Sequence, residues 1–167
     1  MKTEAIIKAL AGTYALVNLT NSRNGIPDPA PEPGRWKGLL IYTSTGRMSV
    51  SMTSYTLADL PNNGAGMTWP PPDDLSLDPG WTIVGKHVLA YGGPFSVDPA
   101  YPATKESGGV IHGPLDIMSA PELIGTIQRR NYTVVREKGK DGGVYVNLHF
   151  EIPARGLASV LWWKKID

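Results

Sequence analysis

Four side chains in this sequence could carry acid–base chemistry on one face of a β-sheet: His112, Asp116, Arg130 and Tyr42. Alternation along 110–118 groups Val110, His112, Asp116 and Met118. Along 126–134 it groups Gln128, Arg130, Tyr132 and Val134, and near the C-terminus Ser159, Leu161 and Trp163. Val146, Leu148 and Phe150 form a comparable apolar row. Turned inward, these rows would line an apolar cavity holding one imidazole, one guanidinium, one carboxylate and a few phenols. His112 would take or give a proton near neutral pH. Arg130 would stabilise a developing oxyanion or meet a carbonyl or carboxylate of a ligand. Asp116 would partner a nearby base, and Tyr42 and Tyr132 would donate hydrogen bonds. Trp81, Tyr91 and Trp163 offer flat surfaces for a polyene or an aromatic ring. Tyr14, Met118, Leu148 and Phe150 complete the candidate substrate wall.

Each of these residues also has a structural reading. His112 is equally a satisfied interior histidine. Arg130 can close a barrel end by packing on the N-terminal aromatic, here Tyr14. Asp116 also reads as a rim residue, and Trp163 as core. His87 and His149 read as solvated. The three histidines have no metal-ligand spacing, so no metal site is expected. A nucleophile-elbow motif is missing, which argues against a serine hydrolase. Gly64-Ala65-Gly66 lacks the strand, helix and lysine of a nucleotide loop.

The elements that must position these residues are mostly strands. Four follow one another at 109–119, 124–136, 143–151 and 157–165. They are separated by Ala120-Pro121, the glycine-rich 138–143 turn and 153–156. Short polar turns between such runs predict an antiparallel meander, because parallel neighbours need crossover helices. Pro114 predicts a bulge inside the first of them. Upstream, Thr3–Leu10 reads as a short helix capped by Thr3, and Gly12–Leu19 as a strand with Tyr14, Leu16 and Asn18 on one face. Strands at 35–42 and 47–54 form a hairpin through Ser44-Thr45-Gly46. A second helix is expected from Asp78-Pro79 to Tyr91, with Trp81, Val84, Val88 and Tyr91 on one face and Gly92-Gly93 ending it. With the 55–78 loop it would form a lid over one barrel mouth. A short strand at 94–98 brings the count to eight, the number at which a closed barrel has room for side chains or one small ligand.

The 167 residues predict one domain over 1–167 with a real core, and 41% hydrophobic residues predict a globular chain. Sixteen basic against fifteen acidic residues leave a net charge of +1, and no basic run occurs, so neither nucleic acid nor membrane is expected as a partner. Cysteine is absent, which excludes thiol catalysis and fits a reducing, cytoplasmic setting. The opening MKTEAIIKALAGTY reads as helix rather than a secretory leader.

An ordered set of short pieces then resembles the lipocalin-like domain family, in its short intracellular form. The pieces are Gly12-Thr13-Tyr14, Gly38–Thr43 with Gly46–Ser49, Ala90–Gly93, Val110–His112, Ile124–Thr126 with Gln128 and Arg130, and Trp163-Lys164. The resemblance implies an all-β, eight-stranded up-and-down barrel around a small apolar molecule. It further implies, as in similar proteins of natural-product pathways, a cofactor-free cyclase or isomerase. Diels-Alder-type cycloaddition, or dehydration with ring closure, would suit a cavity that folds a flexible substrate. A carrier that holds an apolar ligand unchanged is the alternative. An interaction role for the proline-rich 27–33 stretch is a third reading. Trp162-Trp163 marks a candidate homodimer seam.

Overall fold

The computed structural model describes residues 3–29, 36–54, 85, 87–137 and 142–167. Its strands are β1 (Gly12–Arg23), β2 (Ile26–Pro27), β3 (Trp36–Tyr42), β4 (Arg47–Ser54), β5 (Val88–Val97), β6 (Ser107–His112), β7 (Ile117–Met118), β8 (Gln128–Arg136), β9 (Val144–Ile152) and β10 (Leu157–Lys165). The sheet runs β10-β9-β8-β6-β5-β4-β3-β1 in antiparallel order, and β10 pairs back onto β1 to close it. Eight strands therefore make a closed antiparallel barrel, with β2 and β7 as two-residue additions on β1 and β5. Closure removes the unpaired edges that an open meander would expose.

Period-two burial sets the inner face. In β4 every second residue is buried, from Met48 through Val50 and Met52 to Ser54. Val146 and Leu148 of β9, Leu161 and Trp163 of β10, and Arg130 and Tyr132 of β8 also point inward and are buried. The helix α1 (Thr3–Leu10) covers one end, burying Ile6 and Leu10. The Tyr14 hydroxyl donates to the Leu10 carbonyl at 2.7 Å, satisfying one of the orphan acceptors at the helix end. The other rim carries the start of β3, the end of β4 and the start of β5. The lid expected from 55–78, the Trp81 surface and most of the 27–33 stretch fall on residues outside the described set.

Three sequence expectations are corrected by the backbone. First, β1 does not alternate throughout. Its register against β10 shifts between Leu16 and Asn18, so Val17 is the extra residue of a β-bulge. The bulge reverses the faces, placing Leu19 inside with Tyr14 and turning Asn18 out. Second, Gly85 and His87 are helical, but Val88–Tyr91 belongs to β5. Tyr91 reaches the interior from a strand, and Gly92-Gly93 continue that strand rather than ending a helix. The segment after β6 runs on close beside β5, and a Cβ on Gly93 would stand 2.9 Å from the Pro114 carbonyl oxygen. The close approach of two backbones is what glycine permits there. Third, the alternation does not carry past His112: β6 ends there, residues 113–116 bulge at Gly113-Pro114 as Pro114 predicts, and β7 resumes pairing further along β5 in the same direction. Leu115 becomes the buried residue of that bulge, and Asp116 leaves the inner face.

Candidate functional site

Strands β1, β3, β4, β5, β8, β9 and β10 surround a cavity of about 180 Å³ in the half of the barrel away from α1. Its walls are mostly aliphatic and aromatic: Leu19, Trp36, Val50, Met52, Leu89, Tyr91, Leu148, Phe150, Leu161 and Trp163. Three lining residues are polar, Asn21, Ser159 and Arg130. Ser159 donates to the Asn21 side-chain oxygen at 2.7 Å, so these two largely satisfy each other. Among the described lining residues Arg130 is the one that is charged. It is only 8% exposed. Its Nη1 donates to the Arg129 carbonyl at 2.9 Å, and the guanidinium carbon lies 4.2 Å from the centre of the Phe150 ring. Among the described residues no carboxylate reaches it within ion-pair distance. A mostly apolar pocket with one convergent charged donor is the usual form of a small-molecule site.

Beneath this cavity, toward α1, lies a buried polar pair. Tyr42, at the end of β3, and His112, at the end of β6, are hydrogen-bonded through Oη and Nε2 at 2.6 Å. Phe95 and Tyr14 pack on the Tyr42 ring, with centroids at 4.4 and 6.2 Å. Tyr91 stands between pair and cavity, its ring 6.0 Å from that of His112. Burial pushes the His112 pKa well below its ordinary 6.5, and the Arg130 charge pushes the same way. Burial likewise raises the Tyr42 hydroxyl well above 10, with the neighbouring Tyr91 adding to it and Arg130 opposing. Both groups are therefore neutral at physiological pH. His112 Nδ1 and Trp163 Nε1 are buried without a hydrogen-bond partner among the described residues.

The sequence-derived candidates separate into distinct places. Arg130, Tyr91, Leu148, Phe150 and Trp163 line the cavity. Tyr42 and His112 are inside but below it. Tyr14 is buried at the α1 end, where burial holds its pKa up at about 12. Tyr132 is buried, and its hydroxyl donates to the Thr104 carbonyl, which ties the 101–106 loop to the barrel. Met118 of β7 lies opposite Tyr91 of β5 and packs, half-buried, against the core. Asp116 is the correction. Its carboxylate is half exposed and is bonded to Arg47 on the surface, so it does not face the lumen with His112. The cause is the break at Gly113-Pro114, which ends the alternation after His112. Arg130 packs on Phe150 rather than on Tyr14, whose ring has Lys165 Nζ at 6.0 Å instead. His149 faces outward, 3.5 Å from Glu151, and His87 lies 3.3 Å from the Ser54 hydroxyl. Sequence reasoning missed Leu19, Asn21, Trp36, Val50, Met52 and Leu89. The bulge hid Leu19, Asn21 lies beyond the strand read to Leu19, and the period-two rows of β4 and of Leu89–Tyr91–Gly93–Phe95 could have exposed Val50, Met52 and Leu89. Among the described residues no three His, Asp or Glu side chains assemble as a metal site.

No helix among the described residues is long and apolar enough to cross a membrane. Neither a curated protein nor a solved structure matches this sequence. A family model does match, that of the lipocalin-like domain, over residues 11–166. That match spans nearly the whole barrel, from the start of β1 to the end of β10, and agrees with the closed eight-stranded architecture and its internal cavity. The chain belongs to the lipocalin-like domain family, and its barrel is a ligand-binding domain of that kind.

Proposed function

We propose that the barrel binds a small apolar molecule that carries one carbonyl or carboxylate oxygen, with that oxygen turned to Arg130. The observation that supports this is the one guanidinium among the described lining residues, set in a mostly apolar wall, 8% exposed and stacked on Phe150. Its one protein hydrogen bond among the described residues, to the Arg129 carbonyl, leaves guanidinium donors able to meet a ligand oxygen, and charge-assisted bonds of that kind are strong. The apolar wall supplies affinity at roughly 25 cal/mol per Å² of ligand surface removed from water. A matched pair of probes tests the reading. Octanoate and octan-1-ol share a tail and differ in the head group. Titration calorimetry on the wild type and Arg130→Gln should show octanoate binding weakened about 10- to 100-fold, the range of a hydrogen bond to a charged group. Octan-1-ol should change much less. Equal losses for both, or no binding of either, overturn the reading.

A second reading, catalysis without a cofactor, is favoured by the Tyr42–His112 pair set one side chain below the cavity floor. In it, the lumen folds a flexible natural-product intermediate into a reactive shape. Arg130 polarises its carbonyl, and the barrel accelerates cycloaddition or dehydrative ring closure largely by orientation. With His112 neutral and screened by Tyr91, the pair would set the floor's polarity and hold Tyr91 rather than abstract a proton directly. The two readings part on one observation. Conversion of a linear precursor by the ligand-free protein supports catalysis, and recovery of the bound molecule unchanged supports a carrier.

A further inference from the structure

The barrel wall parts beside Arg130. Strand β8 pairs with β9 from Arg136↔Val144 as far as Asn131↔His149, and there the ladder stops. Gln128, Arg129 and Arg130 continue β8 but pair only with β6. Phe150, Glu151 and Ile152 continue β9 but pair only with β10. The first three residues of β8 thus part from the last three of β9, and these facing edges carry no ladder pairing with each other. A second observation points the same way. Two hollows on the outside of this wall, one beside Tyr101 and Asn131 and one beside Leu123 and Arg155, are both lined by Arg130 and Phe150. These same two side chains line the lumen. Inside and outside are therefore separated at this point by one stacked pair, the guanidinium 4.2 Å from the ring centre. At the β1/β3 junction pairing also ends early, at Ala15↔Leu39, but that gap borders residues 30–35, outside the described set.

We propose that the parting of β8 and β9 is a side portal into the lumen, gated by the Arg130–Phe150 stack, through which a ligand with an anionic group passes while Arg130 holds that group. The proposal rests on the ligand-binding reading above. An anion competes for the face of the guanidinium and loosens its hold on Phe150, so the ligand that fits the site also opens its gate. A neutral molecule of the same shape must break the stack unaided.

Stopped-flow fluorescence with two probes of one skeleton tests this. They are 8-anilinonaphthalene-1-sulfonate, which is anionic, and N-phenyl-1-naphthylamine, which is not. Phe150→Ala removes the gate and should speed association of the neutral probe about two- to fivefold, the size of one exposed cation–π contact. Gln128→Cys with Ile152→Cys places the only two thiols of the chain across the parting. Oxidising them should slow exchange of both probes about tenfold or more, with recovery on reduction; disulfide geometry requires the strands to approach. Where the staple does not close, Phe150→Ala decides alone. Unchanged association in Phe150→Ala, or in a closed staple, overturns the portal while probe binding at equilibrium preserves the ligand-binding reading. Failure of both probes to bind the wild type at all overturns that reading and the portal with it.

Discussion

Replacing His112 by Gln should flatten the acid limb of the protein's stability curve. His112 is fully buried, and burial together with the Arg130 charge holds its folded-state pKa well below 6.5. In the unfolded chain the ring regains an ordinary value near 6.5. As pH falls, the unfolded state therefore takes up a proton that the folded state refuses. The unfolded state then binds more protons, so stability rises with pH and falls on acidification. For one such group the loss approaches about 1.4 kcal/mol per pH unit below the unfolded pKa. Between about pH 7.5 and about pH 5 it integrates to about 2 kcal/mol. Gln cannot titrate, and its carbonyl oxygen can accept from the Tyr42 hydroxyl that now meets Nε2 at 2.6 Å. The variant also loses ring volume, but that cost is the same at every pH and cancels in the comparison. Every other titratable group is common to both proteins and cancels too. Urea unfolding followed by tryptophan fluorescence across this range should show wild type and variant converging by about 2 kcal/mol on acidification. Parallel curves would refute the buried, neutral imidazole.

Two further substitutions probe the frame around the site. Trp163→Ala removes a side chain that is 1% exposed and forms part of the cavity wall, so unfolding stability should fall by about 3–5 kcal/mol, with a melting temperature to match. A drop near that of a surface change would place Trp163 outside the core. Gly93→Ala forces a methyl against the Pro114 carbonyl 2.9 Å away and the Asp116 amide 3.1 Å away, both backbone atoms that cannot swing aside. It should cost about 1–3 kcal/mol by denaturant titration. A neutral result would show that the turn after β6 is free to move off β5.

The barrel was largely legible because its signal is short-range. Turn residues and period-two runs mark seven barrel strands and the last part of β5; alternation groups the rows containing His112, Arg130, Leu148 and Trp163, and the family-like positions His112, Arg130 and Trp163 point those rows inward. Alternation fails wherever the chain slips a residue, and both interior errors came from such slips. The bulge at Val17 carries no glycine or proline to announce it, so plain alternation groups Asn18 with Tyr14 and sets Leu19 on the opposite face. At Gly113-Pro114 the break was announced, but its effect on the following parity was not, so Asp116 was grouped with His112. The helix expected up to Tyr91 rested on apolar residues at 81, 84, 88 and 91, and 88 and 91 also sit in a strand that carries its own period-two row through Phe95. Periodicity alone cannot separate the two over so short a run. Arg130 could be placed inside from sequence, but its stacking partner could not. That choice depends on β8 and β9 diverging, a long-range feature with no local signature.

The most direct test of lumen binding is native mass spectrometry on protein purified from its own host, with identification of whatever denaturation releases. A bound apolar molecule bearing a carbonyl or carboxylate is expected, in one copy per chain. It should be lost from Leu89→Trp, in which an indole replaces a leucine of the cavity wall. A molecule retained undiminished by Leu89→Trp, or the lack of any bound molecule, would contradict the account.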